Sequence, residues 1–122
     1  MRSIVFAIML AAICVDPAPA QVCADNAKEV RPQLSSAAEA KYSDDLSAAA
    51  KKAAAEPTAD NVIWHARRHG YLGHYKDAIK TLSSGIAKFP KDARMYRHRG
   101  HRYITLRCFD DAIKDLELAA KL

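Results

Sequence analysis

When this 122-residue chain is slid along itself by 34 positions, Asp77-Ala78-Ile79-Lys80 falls on Asp111-Ala112-Ile113-Lys114. Arg68 falls on Arg102, Leu72 on Leu106 and Leu82 on Leu116. Similar types coincide too: Tyr75 with Phe109, Ala66 with Gly100, Gly85 with Ala119 and His69 with Tyr103. Identities at one fixed offset, with free variation between them, mark a duplicated structural unit rather than biased composition.

Each unit reads as two helices. In the second, Tyr96, Gly100, Tyr103 and Arg107 recur at steps of four, three and four. After a break at Arg107-Cys108, the residues Phe109, Ala112, Ile113, Leu116 and Ala120 form another stripe. The first unit repeats the plan with Val62, Ala66 and His69, a break at Gly73-His74, then Tyr75, Ala78, Ile79, Leu82 and Ile86. Gly73 suits a tight turn between helices. Pro90 closes the first unit, and Asp92 is placed to cap a helix starting near Ala93. Ala66 and Gly100, like Ala78 and Ala112, are small where two helix axes must approach closely.

A bulky residue, a small one, an aromatic, a turn, an A-x-x-x-L pair and a closing proline resemble the tetratricopeptide repeat. The resemblance covers residues 59 to 122 and is fullest in Tyr96, Gly100, Tyr103, Leu106, Phe109, Ala112, Leu116 and Ala119. The first copy departs from it: His65 and His69 stand where leucine and an aromatic are usual, and Val62 replaces the usual tryptophan. The resemblance implies an all-α fold, a right-handed α-solenoid of antiparallel helix pairs. Its units would be residues 59–92 and 93–122. The second is incomplete, because the chain stops at Leu122 before a proline turn like that at Pro90. Leu116, Ala119 and Ala120 are then expected to lie partly uncovered. Either the chain is a fragment of a longer array, or that edge meets a partner or a second copy of itself.

Upstream, residues 35–58 are alanine- and lysine-rich, with strong helix propensity and a thin stripe of Leu46, Ala49, Ala50 and Ala53. Pro57 precedes Pro90 by nearly one repeat length, so this segment reads as a capping helix or degenerate half-repeat. Residues 21–34 show no period and contain Pro32, which reads as a flexible leader. Residues 1–20 carry Arg2, an uncharged apolar run from Ser3 to Val15, and Ala18-Pro19-Ala20 in the arrangement a signal peptidase cuts. The run is short for a bilayer span. An exported chain, periplasmic or secreted, is expected, with no membrane contact after cleavage.

Cleavage after Ala20 removes Arg2 and Asp16 together, so the net charge of +5 persists. It also removes Cys14 and leaves Cys23 and Cys108. Two cysteines in an exported chain can pair, but a flexible leader and a very long loop weigh against it. No C-x-x-C, C-x-x-C-H or zinc-finger spacing occurs, so no cofactor is expected. There is also no G-x-S-x-G turn and no glycine-rich phosphate loop, so the chain reads as non-catalytic. The arginines invite a nucleic-acid reading. No nucleic-acid motif accompanies them, and none is expected as a partner.

The resemblance implies that the first helix of each unit lines a concave, peptide-holding side. At about 100° per residue, Arg94, Arg97, His98 and His101 share one face, opposite Tyr96, Gly100 and Tyr103. The matching face of the first unit carries Ile63, Trp64, Arg67 and Tyr71. Residues 93–107 hold five arginines and no acid. Guanidinium forks beside aromatic footing suit a ligand that is apolar and anionic at once. The expected partner is an acidic protein segment, and self-association through the uncapped last helix is the second contact. The rival reading is a metal- or redox-responsive protein. It rests on His65/His69 and His98/His101, which pair on helix faces, with Asp60 or His74 as a further ligand, or on Cys108 beside Arg107. Because His65 and His69 replace core residues of the repeat, they read first as packing histidines.

Overall fold

The computed structural model describes residues 19–122, and over them the chain is all-helical, with no strand among the described residues. The helices are α1 (Pro19–Asn26), α2 (Ser36–Ala55), α3 (Ala59–Tyr71), α4 (Tyr75–Lys88), α5 (Ala93–Thr105) and α6 (Phe109–Lys121). The signal peptide expected over residues 1–20 lies outside the described residues except for its last two. Ser35, Thr58 and Asp92 stand in extended backbone and start α2, α3 and α5. Each side chain accepts a hydrogen bond from an early amide, of Ala38, Asn61 and Arg94 respectively. Two short turns join α3 to α4 and α5 to α6, and both pass through the left-handed region, at Gly73 (φ 75°) and Arg107 (φ 63°). These positions are one repeat apart, so the turn as well as the helices is duplicated. Arginine takes on the strain that glycine avoids.

From α2 onward each helix packs on the next, and α3 also touches α5. The core forms in two clusters. Val62, Ile63, Ala66, Leu82 and Met95 gather between α3, α4 and α5, with Ala59, Ile86 and Phe89 against them. Ile79, Tyr103, Leu106, Cys108 and Ala112 gather between α4, α5 and α6. Gly100 lets α6 approach: a Cβ there would meet Leu116 Cγ at 2.9 Å. Phe109 and Ile113, expected in the packed stripe, are instead 51% and 54% exposed. The inner side of α6 is made by Asp111, Ala112 and Asp115, all buried. Arg99 explains how a carboxylate fits there. Its Nε and Nη2 donate to Asp115 Oδ2 and Oδ1 at 2.7 and 2.8 Å, and its Nη1 donates to Ser83 Oγ at 2.9 Å, so one guanidinium ties α4, α5 and α6.

The leader corrects the sequence reading. Residues 21–34 are not an unattached tail: Cys23 is disulfide-bonded to Cys108, 85 residues away, with the Cα atoms 6.0 Å apart. Ala24, 3% exposed, joins the second core cluster, and Ala27 packs beside it. The leader then runs to the other inter-helix turn. Glu29 Oε1 accepts from the Lys76 amide at 2.7 Å, and Lys76 Nζ donates to the Asp25 carbonyl at 2.8 Å. A Cβ on Gly73 would meet Pro32 Cδ at 2.6 Å and Arg31 Cα at 2.9 Å, so the strap presses on that turn. A leader of low hydrophobicity is held because a covalent bond and two hydrogen bonds offset its ordering entropy. Beyond it α2 lies against α3, with Tyr42 and Tyr71 rings 5.7 Å apart and Arg68 Nη1 3.4 Å from Asp45 Oδ2. Leu46, Ala49, Ala50 and Ala53 are half-buried. Among the described residues no helix is long and apolar enough to cross a membrane.

Two substitutions probe this frame. Cys23→Ser opens a loop of 85 residues and is expected to lower stability by about 2–5 kcal/mol. Guanidinium denaturation should show it, and reductant should reproduce the loss in the parent chain. Asp115→Ala strands the half-buried Arg99 charge and should lower stability by about 2–3 kcal/mol, at the lower end for a broken internal pair because the guanidinium keeps some water. Arg99→Met combined with Asp115→Leu should recover part of it in the same assay.

Candidate functional site

A cleft of about 250 Å³ opens between α3 and α5, lined by Ala66, Arg67, Tyr71, Leu82, His98 and Arg102. Its floor is apolar, Ala66 and Leu82 being 1% exposed each. Its walls are cationic. Arg67 Nη2 donates to the Tyr71 hydroxyl at 3.1 Å. Its guanidinium also lies 4.3 Å from the Trp64 ring centroid, so two aromatic side chains hold the same charged group. Arg102 reaches the cleft past Gly70, where a Cβ would lie 2.7 Å from Arg102 Nη1. No acidic side chain lines the cleft.

The eight residues expected to form the binding face divide. Arg67, Tyr71 and His98 come together in the cleft. Trp64 is 45% exposed and does not line the cleft; it faces α2 in a hollow with Ala48, Ala49, Lys52 and Asn61, under the guanidinium groups of Arg67 and Arg68. Arg97 and His101 are exposed beside the cleft, and neither side chain has a hydrogen-bond or ion-pair partner among the described residues. Two expectations are overturned. Ile63 is 6% exposed and belongs to the core with Leu82 and Met95, because packing by α4 and α5 is what removes its apolar surface from water. Arg94 is no free cation: Nη1 bonds Asp60 at 2.6 Å, while Nη2 and Nε hold Asp92 at 2.7 and 3.0 Å. Carboxylates from α3 and from the turn before α5 neutralise it, although α5 itself carries none.

Arg102 was missed as a cleft residue. It sits four residues after His98 and therefore on the same side of α5, which was the available signal. A hollow of about 570 Å³ at the α4–α5 turn, lined by Phe89, Pro90, Lys91, Asp92, Ala93 and Arg94, is larger but open, and its one guanidinium is already paired.

The electrostatics of the cleft show in His98. Burial pushes its pKa down first, and Arg97, Arg67, His101 and Arg102 push it further, from 6.5 to about 4. At neutral pH the ring is uncharged and lies among positive groups. His65 and His69 are also lowered, chiefly by burial. Cys108 is buried and disulfide-bonded, so the redox rival has no free thiol there. Comparison with known proteins finds no family model, curated protein or solved structure that matches the chain.

The unfolded chain protonates His98 near 6.5 and the folded chain only near 4. The stability that neutral His98 allows is therefore present above about pH 6.5 and is lost as the pH falls toward 4. Denaturation midpoints between pH 7 and 4 should fall less steeply in His98→Gln than in the parent. A part of the slope should remain from His65 and His69.

Proposed function

We propose that the chain is an exported, tetratricopeptide-like scaffold without catalytic activity, holding an acidic segment of a partner protein against the cleft between α3 and α5. Its helices are read as antiparallel pairs of a right-handed solenoid with α2 as the N-terminal cap. Sequential packing from α2 to α6, the α3–α5 contact and the repeated left-handed turns support that reading. The disulfide supports an oxidising compartment and hence export.

The observation that carries the functional reading is a cationic cleft with no acid in its lining. Arg67 and Arg102 line it beside a histidine whose protonation is suppressed by burial and by its neighbours. Two other guanidinium groups of α5 are matched, Arg94 by Asp60 and Asp92 and Arg99 by Asp115, while Arg97 beside the cleft is not. Unmatched fixed charge favours an external anion. Two guanidinium groups beside a tyrosine suit the planar carboxylate of a glutamate, an aspartate or a chain end. The apolar floor of Ala66 and Leu82 takes a neighbouring aliphatic group, and Arg97 and His101 at the side extend the attraction to further acids. Helix α6 and its end leave Phe109, Ile113, Leu118 and Leu122 exposed, which supports a second contact with another copy of the chain.

The test is calorimetric titration with a short acidic peptide ending in a free carboxylate. Removing a charge-assisted hydrogen bond costs about 1.5–3 kcal/mol. Arg67→Ala and Arg102→Ala should therefore each weaken binding by about tenfold or more, while Arg94→Ala should leave it nearly unchanged. Binding should also raise the His98 pKa, visible as an upward shift of its imidazole titration by NMR. Equal losses in all three variants would point to unspecific charge attraction and sink the reading.

A further inference from the structure

The α3–α4 corner gathers groups that neither the core nor the cleft uses. His69 lies in the last turn of α3, His74 is the residue before α4, and Asp77 lies in the first turn of α4. Gly73 turns the chain sharply between them. As a result one ring nitrogen of each histidine and a carboxylate oxygen of Asp77 all lie within 4.8 Å of one another. We propose that His69, His74 and Asp77 form a binding site for a divalent transition-metal ion of the zinc class.

Three features favour a ligand over packing. First, Nδ1 of His69 is buried and has no hydrogen-bond partner. A buried ring nitrogen left without a partner calls for an explanation, and an ion at this corner supplies one. Second, His74 occupies the N-cap position of α4 but makes no side-chain capping bond there. The leader does that work, since Glu29 accepts from the Lys76 amide at 2.7 Å. The His74 imidazole is thereby released from the usual duty of its position, and the ordering of the leader by Cys23–Cys108 is part of the reason. Third, the His65 ring lies 4.9 Å from that of His69 and the His74 ring 6.2 Å from it, so His69 is held on both sides.

The donor set suits the ion. Two neutral imidazoles and one carboxylate, with a remaining position for water, form a common zinc environment, and the same set also takes copper(II) or cobalt(II). Zinc–ligand bonds of about 2.0–2.2 Å place tetrahedral donors about 3.3–3.6 Å apart. The three donors therefore need to close by at most about 1.5 Å, within reach of a rotation of Asp77, which is exposed, and of half-buried His74. The equivalent corner of the second unit makes the contrast. Cys23, Cys108 and Asp111 crowd together there as well, but the two sulfurs are bonded to each other and hold no ion. The duplicated turn thus carries a covalent lock in one unit and a ligand triad in the other. His98 lines the cleft and His101 lies beside it, and neither takes part, so this site stands or falls apart from peptide binding.

The experiment is zinc titration of the oxidised, untagged chain by calorimetry against a competing chelator, with cobalt(II) as a spectroscopic probe. One equivalent should bind, and cobalt should give the visible d–d absorption of a tetrahedral site. His74→Ala and Asp77→Asn are at accessible positions and should keep the far-ultraviolet circular dichroism of the parent. Each should weaken zinc by at least about tenfold, whereas the double variant His98→Ala/His101→Ala should bind like the parent. The proposal is overturned if the parent takes up no zinc at micromolar concentration. It is equally overturned if His74→Ala and Asp77→Asn bind unchanged, or if the His98/His101 variant is the one that loses the ion.

Discussion

The Cys23–Cys108 bridge is the constraint from which the rest of this molecule's organisation follows. Residues 21–34 have too little apolar surface to fold onto the helices unaided. The bond places Ala24 in the core between Ile79, Tyr103 and Ala112 and aims the following segment across the other inter-helix turn. There Glu29 caps α4 in place of a local side chain, and Arg31 and Pro32 close over Gly73. The chain then enters α2 already beside α3, where Asp45 meets Arg68. One covalent bond at the α5–α6 turn thus sets the environment of the α3–α4 turn, with backbone rather than a relay of side chains as the connection.

The second organising term is where carboxylates are supplied. Helix α5 contains no acid of its own, yet its arginines end in different states. Arg99 can be half-buried because Asp115 on α6 and Ser83 on α4 satisfy it from two directions. Arg94 is held by Asp60 and Asp92. The cleft beside α3 receives no such partner, and Arg67 and Arg102 line it with only Tyr71 and an uncharged imidazole as their polar companions. Basic character on a sequence is therefore a poor guide to a binding surface. What matters is which charges remain after neighbouring helices have provided their acids.

This also explains what could be read from the chain beforehand. The helices and the start of α5 were legible because the apolar stripes and the cap Asp92 are local properties. The close helix approaches at Ala66, Ala78, Gly100 and Ala112 were legible because only small residues fit them. The disulfide was not, since spacing along the chain gives no account of proximity across 85 residues. Arg94 was misread because its acids come from other segments, and Ile63 because a single helical wheel cannot say how far the next helix covers it. Phe109 and Ile113 were assigned to the core by period alone, while the buried positions of α6 went to Asp111 and Asp115. Those carboxylates look wrong for a core until Arg99 is placed opposite one of them.

The cleft imposes a standing cost that bears on why it exists. Arg67 and Arg102 share a small space, and His98 remains neutral there well below its ordinary pKa. A glutamate in place of Tyr71 or His98 would relieve that repulsion at once, and the equivalent relief is present for Arg94 and Arg99. Packing does not require the charge, because the floor of the cleft, Ala66 and Leu82, is buried without it. Local repulsion that stability would select against, next to a wall already ordered by the Arg67–Tyr71 hydrogen bond and the Trp64 ring, is the arrangement expected where an incoming carboxylate supplies the missing charge.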